Sequence, residues 1–429
     1  MARSSASIRK HLQSMLNGKA VDAEVVGRLK PDPDSPLPPR IKKAGSTRVD
    51  HSSIAKRWDL LEEALGLPAS ARSTLAPSSE GLPDYDKHIE NCVGSITLPL
   101  GVIGPLRIRG FERQADLYVP LATHEAALVA SYDRGATAIT EAGGCSVLVL
   151  SEGITRAPVF CFDTLREAGV FAAWLAEQDE LFDQVSSEQS RHARFQELRL
   201  HLEGNHVYAQ FEFTTGNAAG QNMVTLITEA ICQKLVDLSP VPIGRWYVES
   251  NLSGDKKACA QSFSQVRGKK VCAEVLLPRQ VVEARLRSSA EAMAHYWQCS
   301  ALGGVMSGCI GVQGHYANGL ASLYLATGQD VACVAESAVG VTRFESREDG
   351  SLYASVTLPN VVAGTVGGGT GLPSAQACLH MLGLGNGQGS ARALAEVCGA
   401  VALAGELSII AAMSAGHFAQ AHRRLARGR

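Results

Sequence analysis

The sequence predicts an α+β protein, and three observations lead there. Glu197–Leu202 and Val207–Phe213 each alternate polar and apolar residues around the turn pair Gly204-Asn205, the pattern of a β-hairpin with one buried face. Ile54, Trp58, Leu61, Ala64 and Leu65, and later Met223, Leu226, Ile227, Ala230 and Ile231, recur at helical spacing. The 42 glycines gather in short clusters between such elements, where backbone has to turn tightly or approach a ligand closely.

Composition bounds the function classes. With 429 residues the chain has room for two or three domains. Its 45% hydrophobic and 19% charged content fits a compact soluble protein, and a net charge of -2 gives no basic field for nucleic acid or an anionic membrane. The long apolar stretches near Val93–Ile108 and Val401–Ala415 are interrupted by Pro, Gly or Glu406, so no membrane span is expected. The start of the chain has no secretory apolar core. The 11 cysteines form no C-x-x-C pair and no zinc-spaced cluster with histidine, which implies reduced thiols, a cytoplasmic setting and no metal site.

Residues 1–50 carry ten Lys/Arg against five Asp/Glu, with five prolines between Pro31 and Pro39, and read as a basic, extended arm or linker. Residues 51–70 read as helix. From Glu90 to Leu106 the apolar run is studded with Gly and Pro and reads as short strands joined by tight turns. Thr123 is a plausible N-cap and Gly135 a plausible C′ stop, which predicts a helix of about three turns with Glu125 in its first turn, facing the positive end of the dipole.

After the hairpin, Thr215-Gly216-Asn217-Ala218-Ala219-Gly220-Gln221-Asn222 leads from a strand into a helix, a ready site for an anion such as a nucleotide phosphate. There is no strict G-x-G-x-x-G and no P-loop, so the turn is also consistent with ordinary structural punctuation. The segment Glu249–Cys259 holds Asp255-Lys256-Lys257 in a Ser/Gly/Asn-rich loop, able to set two cations and a carboxylate at the edge of a cleft, or to be a solvated surface loop. Val271–Leu277 reads as a strand and Arg279–Trp297 as a helix. Gly-rich Leu302–Asn318 leads into an apolar helix closed by Thr327-Gly328-Gln329-Asp330. A third cluster, Gly364–Gly371, precedes a long helical pattern containing Glu406, Ser414, Gly416, His417 and His422.

Taken together these motifs resemble the 3-hydroxy-3-methylglutaryl-coenzyme A reductase family, specifically the catalytic domain of class I, the class that includes the eukaryotic enzymes. The resemblance runs from about Glu90 to His422. It rests on Glu90-Asn91-Cys92-Val93-Gly94, Leu98–Val102, Thr123-His124-Glu125, Gly216–Asn222, Asp255-Lys256-Lys257, Gly308–Asn318, Gly328-Gln329-Asp330, Gly364–Thr370 and Ala415-Gly416-His417. It implies a helical N-terminal part (51–89) and a large domain (90–157 and 248–429) built around a long central helix and binding coenzyme A. A ferredoxin-like NADP-binding domain (158–247) is inserted in it. The resemblance also implies a homodimer or dimer of dimers, with active sites at the subunit interface and Glu90–Gly94 at that contact.

The implied chemistry is reduction of an acyl-coenzyme A thioester with NADPH. Lys256 is then the cation at the carbonyl oxygen, Glu125 a proton donor, Asp330 the carboxylate coupling Glu125 to Lys256, and His417 the acid that protonates the departing thiolate. Lys256 and a helix N-terminus would both lower the pKa of Glu125, so burial and the like charge of Asp330 have to keep it protonated. Arg156, Asp255, Lys257 and Asn318 are implied substrate contacts. Ser131, Tyr132, Asp133, Arg134, Gly135, Ala136 and Thr137 are the implied coenzyme A stretch. Cofactor contacts are implied at Ser190, Arg191 and His192, at Asn217, Ala218, Ala219, Gly220, Gln221 and Asn222, and at Ala421 and His422, with Arg191 suited to a 2′-phosphate.

The sequence departs from the family pattern where the acyl group is held. Cys299 stands where the family has a substrate-binding lysine, and Glu249 where it has a serine seven residues before the catalytic lysine. Asn217, Ala219 and Gln221 differ in the cofactor turn, and Thr137 replaces an arginine. Mevalonate formation is the leading expectation, a reductase of another acyl thioester the second, and a retired homologue acting as a scaffold the third. Retention of Glu125, Lys256, Asp330 and His417 weighs against the third.

Overall fold

Asp50 opens the first helix, α1 (His51–Leu65): its carboxylate accepts from the Ser53 amide at 2.8 Å. Gly66 closes the helix at φ 62, a left-handed position that glycine occupies without strain. The computed structural model describes residues 31–41, 49–75, 82–385 and 390–416, so most of the basic arm lies outside the described residues. In the N-terminal unit (Met1–Ser95), α1 and α2 (Ala69–Leu75) bury Ile54 and Trp58 with Val49 and Cys92. Arg57 and Trp58 donate to the carbonyls of Cys92 and Val93, each at 2.8 Å, which fixes the Glu90–Gly94 segment to α1.

The second unit (Ile96–Arg429) opens with the antiparallel pair β1 (Leu100–Gly110) and β2 (Gln114–Ala122). One long strand stands here in place of the expected series of short ones. Helix α3 follows at Leu128–Glu141, so the N-cap predicted at Thr123 falls four residues later, at Ala127. Thr123 does form a turn with the Glu125 amide, at 2.9 Å, but the helix starts from Ala127 at φ 71. Gly135 is not a stop. A Cβ there would lie 1.9 Å from the Ala404 carbonyl oxygen, so glycine is required by close helix packing rather than by chain reversal.

Next come β3 (Cys145–Arg156), β4 (Val159–Cys161), α4 (Leu165–Leu175), α5 (Asp179–Gln189), and the hairpin β5 (Arg194–Glu203) with β6 (His206–Thr214). The hairpin matches the sequence reading, with Leu202 opposite Val207 and Glu203 opposite His206. Helix α6 (Gln221–Leu238) and β7 (Arg245–Tyr247) complete this region. Then follow β8 (Gly268–Leu277), α7 (Ala290–Ser307), α8 (Tyr316–Thr327), β9 (Val341–Ser346), β10 (Leu352–Val361), α9 (Pro373–Met381) and α10 (Ala391–Ser414). The helix expected over 279–297 is broken: a π-turn at Val282–Leu286 ends in Arg287 at φ 54, and Ser289 caps a fresh start.

The strands form one path in the order β7-β4-β6-β3-β8-β10-β9, with β5 on β6 and β1 on β3. Strand β3 joins its two parts: Ser146–Gly153 pairs with β8, and Ile154–Arg156 pairs with β6. Arg156 therefore sits at the junction. Helix α10 is apolar on every side and almost wholly buried against α3, α8 and the sheet, as a core helix should be. It is the one helix among the described residues long and apolar enough to cross a membrane, and its burial explains that composition. Its buried Glu406 accepts from the Gly314 and His315 amides and from Thr342, so the charge in the apolar run closes the turn ahead of α8.

Candidate active site

The loop between β7 and β8 is held from below by a buried ionic network. Arg267, 3% exposed, gives Nε to Glu336 at 2.7 Å, Nη1 to the Thr155 carbonyl at 2.7 Å and Nη2 to Asp255. Glu336, fully buried, accepts the Lys256 amide on its other oxygen at 3.1 Å. Burial pushes the Glu336 carboxyl up to about 7, against the pull of Arg267 and the Lys256 amide. For Asp255 burial acts upward too, but Arg267 and Arg156 outweigh it and its pKa is lowered.

Held this way, Lys256 adopts φ 55, a left-handed conformation costing a non-glycine residue about 1–2 kcal/mol. Its ammonium extends into the open and meets Asp330 at 2.8 Å, and that contact raises its pKa. Asp330 is fixed as the cap of the turn after α8, accepting from the Ala332 amide at 3.0 Å. Lys256 and Lys257 are exposed, as in a solvated loop, but the backbone that carries them is tied to the buried Arg267 and Glu336.

Asp330 also lines a cleft of about 440 Å³, within the usual range for small-molecule sites. One wall is the start of α6: Ala218, Ala219, Gly220, Gln221, Asn222 and Met223. Among the described residues no side chain caps this helix, so its first amides and the positive end of its dipole remain available to an anion. The opposite wall is Gly328-Gln329-Asp330 and Gly367–Thr370. These segments touch backbone to backbone. A Cβ on Gly328 would come 2.3 Å from the Gly369 carbonyl oxygen, and one on Gly364 2.5 Å from the Ala219 nitrogen.

Other predicted positions divide. Ser190 reaches the cleft's edge, its hydroxyl 3.2 Å from Met223 Sδ, with Arg191 and His192 exposed beside it. Asn217 is turned away: its side chain accepts from Ala391 at the start of α10, and its carbonyl from Thr365. Glu125 is exposed rather than buried, and Asn318 Nδ2 donates to its Oε1 at 3.4 Å. Of the Ser131–Thr137 stretch, Tyr132, Gly135 and Ala136 are buried in the core, which leaves Ser131, Asp133, Arg134 and Thr137 partly accessible. Ser131 and Arg134 bond Ser408 of α10. His417, Ala421 and His422 lie outside the described residues.

Arg156 is 6% exposed, and its Nη1 is shared by Glu249 and Asp255, each at 3.0 Å. Lys257 Nζ turns back to the Asp255 carbonyl at 2.8 Å. Cys299 is exposed on α7 and takes no part in the bonded network around Arg156. Arg267, Glu336 and the Gly328/Gly367–Thr370 wall were not assigned roles by sequence reasoning. Glu336 did carry a signal, as a lone acid in the apolar run Val331–Val339, where a charge requires a buried partner.

The model of the family described as "Hydroxymethylglutaryl-coenzyme A reductase" matches residues 53–427. The chain belongs to this family. A 3-hydroxy-3-methylglutaryl-coenzyme A reductase of Pyrococcus horikoshii is 40% identical over 348 residues, 80% of this chain and 84% of the relative. One from Methanothermobacter thermautotrophicus is 41% identical over 344 residues, 80% of this chain and 86% of the relative. Among solved structures, the class II 3-hydroxy-3-methylglutaryl-CoA reductase of Streptococcus pneumoniae bound to NADPH superposes with a TM-score of 0.63. It is 19% identical and covers 84% of this chain and 96% of that one, a likeness in fold. The α+β architecture is thus the reductase fold, and a scaffold unrelated to that chemistry is not favoured.

Proposed function

We propose that this chain is an NADPH-dependent reductase that converts the thioester of 3-hydroxy-3-methylglutaryl-coenzyme A to mevalonate and free coenzyme A. One observation carries the reading: Asp330 belongs both to the ion pair that fixes Lys256 and to the lining of the cleft at the α6 N-terminus. An electrophilic cation therefore stands at the rim of a backbone-lined cleft. The relatives named above bear the same activity in their names over most of their length.

The residues present fit a dinucleotide. The uncapped α6 start would take its pyrophosphate, the glycine wall would admit it without side-chain clashes, and Ser190, Arg191 and His192 would lie toward a 2′-phosphate. When bound, the dinucleotide supplies the hydride for each of two reductions. Lys256, held by Asp330, stabilises the negative charge that develops on the substrate oxygen. Glu125 and Asn318 form a second polar pair suited to delivering a proton there, and His417 is assigned to protonating the departing thiolate. Exposure of Glu125 in a single chain fits a site completed by a second subunit, so a homodimer or larger even assembly in the cytosol is part of the proposal.

The test is NADPH oxidation by the purified protein with hydroxymethylglutaryl-coenzyme A, alongside a panel of other acyl-coenzyme A esters. Mevalonate and free thiol are the expected products. Turnover of a different ester alone would overturn the assignment.

A further inference from the structure

An acyl chain ending in a carboxylate, as the proposed substrate does, brings an anion close to Lys256. The loop's two buried cations differ in what they can offer it. Arg267 has all three of its nitrogens engaged, by Glu336, Thr155 and Asp255. Arg156 has spare capacity: its buried Nε finds no partner among the described residues, and Nη2 makes only a 3.4 Å contact with the Gln221 carbonyl. Arg156 is thus the natural seat for the acyl carboxylate. That seat is taken.

Glu249 holds it from within the same loop. Its Oε2 accepts from Arg156 Nη1 at 3.0 Å and from Ser253 Oγ at 2.9 Å, and its Oε1 accepts from the Asn251 amide at 2.6 Å. A carboxylate positioned by two further hydrogen bonds loses no translational freedom when it pairs, so it competes at a high effective concentration against one arriving from solution. Charge points the same way. Among the described residues, Arg156, Arg267 and Lys256 are already paired with Glu249, Asp255, Glu336 and Asp330 before any substrate arrives, while Lys257 turns back to the Asp255 carbonyl.

Resting on the reductase reading, we infer that Glu249 is a specificity-determining residue, an internal competitor for Arg156 that penalises thioesters whose acyl chain ends in a carboxylate. Such a substrate binds by displacing Glu249, and a thioester lacking that carboxylate binds without doing so.

The experiment measures kcat and KM for two thioesters: hydroxymethylglutaryl-coenzyme A, and 3-hydroxy-3-methylbutyryl-coenzyme A, which has the same branched alcohol without the terminal carboxylate. The proteins are the wild type, Glu249→Gln and Glu249→Ser, at saturating NADPH. Removing the competing charge should lower KM for hydroxymethylglutaryl-coenzyme A by about tenfold or more, the scale of one charge-assisted hydrogen bond, with a much smaller change in kcat. KM for the uncharged ester should stay within about twofold. Calorimetric binding of both thioesters to the same proteins reads the ratio without turnover, so a variant impaired in catalysis still answers. An equal effect on both esters, or an unchanged preference, overturns the role of Glu249 while leaving the reductase assignment standing. Failure of every protein to bind or reduce either ester overturns both.

Discussion

The cleft and the loop beside it are built from opposite materials. The cleft is made of backbone: Gly328 against Gly369, Gly364 against Ala219, and an uncapped helix start. The loop is made of charge, with Arg267, Glu336, Asp255, Arg156 and Glu249 locked together beneath Lys256. A surface of backbone amides depends little on which side chains flank it, so the departures at Asn217, Ala219 and Gln221 leave that surface in place. A charged network has no such tolerance, since one added carboxylate changes which ligand it prefers. Variation in the first region is therefore expected to be tolerated, and variation in the second to alter specificity.

The sharpest way to break this comparison is to remove the cation and leave the cleft intact. Lys256→Ala should cost about 10²–10³-fold in kcat, the range for losing one positioned stabiliser of a developing oxyanion. The dissociation constant for NADPH, measured by fluorescence titration, should barely move, because Lys256 contributes nothing to the cleft walls. A parallel loss of cofactor affinity would mean that the two regions are one unit.

The converse substitution is Gly364→Ala. A methyl group there meets the backbone of Ala218 and Ala219 at 2.5–2.9 Å, and neither wall can yield without moving α6 or breaking the paired bonds between Gly364 and Gln329. A cost of about 1–3 kcal/mol is expected. It should show as weaker NADPH binding or a lower melting temperature, with the Lys256–Asp330 chemistry retained at saturating cofactor. Unchanged affinity and unchanged melting would show that the glycine wall is not required.

The two regions were unequally legible in the sequence, for the same physical reason. Glycine clusters and the strand–turn–helix at Asn217–Asn222 announce a backbone-lined site in local composition, and the Gly204-Asn205 hairpin was equally local. The helix start near Glu125 was misread because Thr123 makes its turn with Glu125 and leaves Ala127 to begin the helix, whose buried face starts at Leu128 and Tyr132. Gly135 was misread because its partner, Ala404, lies far along the chain. The ionic network was least legible. Thr155, Arg156, Glu249, Asp255, Arg267 and Glu336 are dispersed over three segments, and no short-range pattern says which acid meets which base.

A pH series tests whether Glu336 belongs to the charged region through its charge or only through its shape. Burial raises its carboxyl from the ordinary 4.5 to about 7, so across that window the folded chain holds a proton that the unfolded chain has released. Folding stability from this group is then fully present below about 4.5 and lost as pH rises toward 7, a change of roughly 3 kcal/mol at most. Glu336→Gln keeps an oxygen for the Lys256 amide, and Arg267 keeps Asp255 and the Thr155 carbonyl, but nothing titrates. Melting curves from pH 5 to 8 should therefore show the variant gaining on the wild type as pH rises, by a few degrees. If the gap stays constant, Glu336 is held ionised by Arg267 throughout, and the loop under Lys256 rests on a fixed ion pair rather than on a proton.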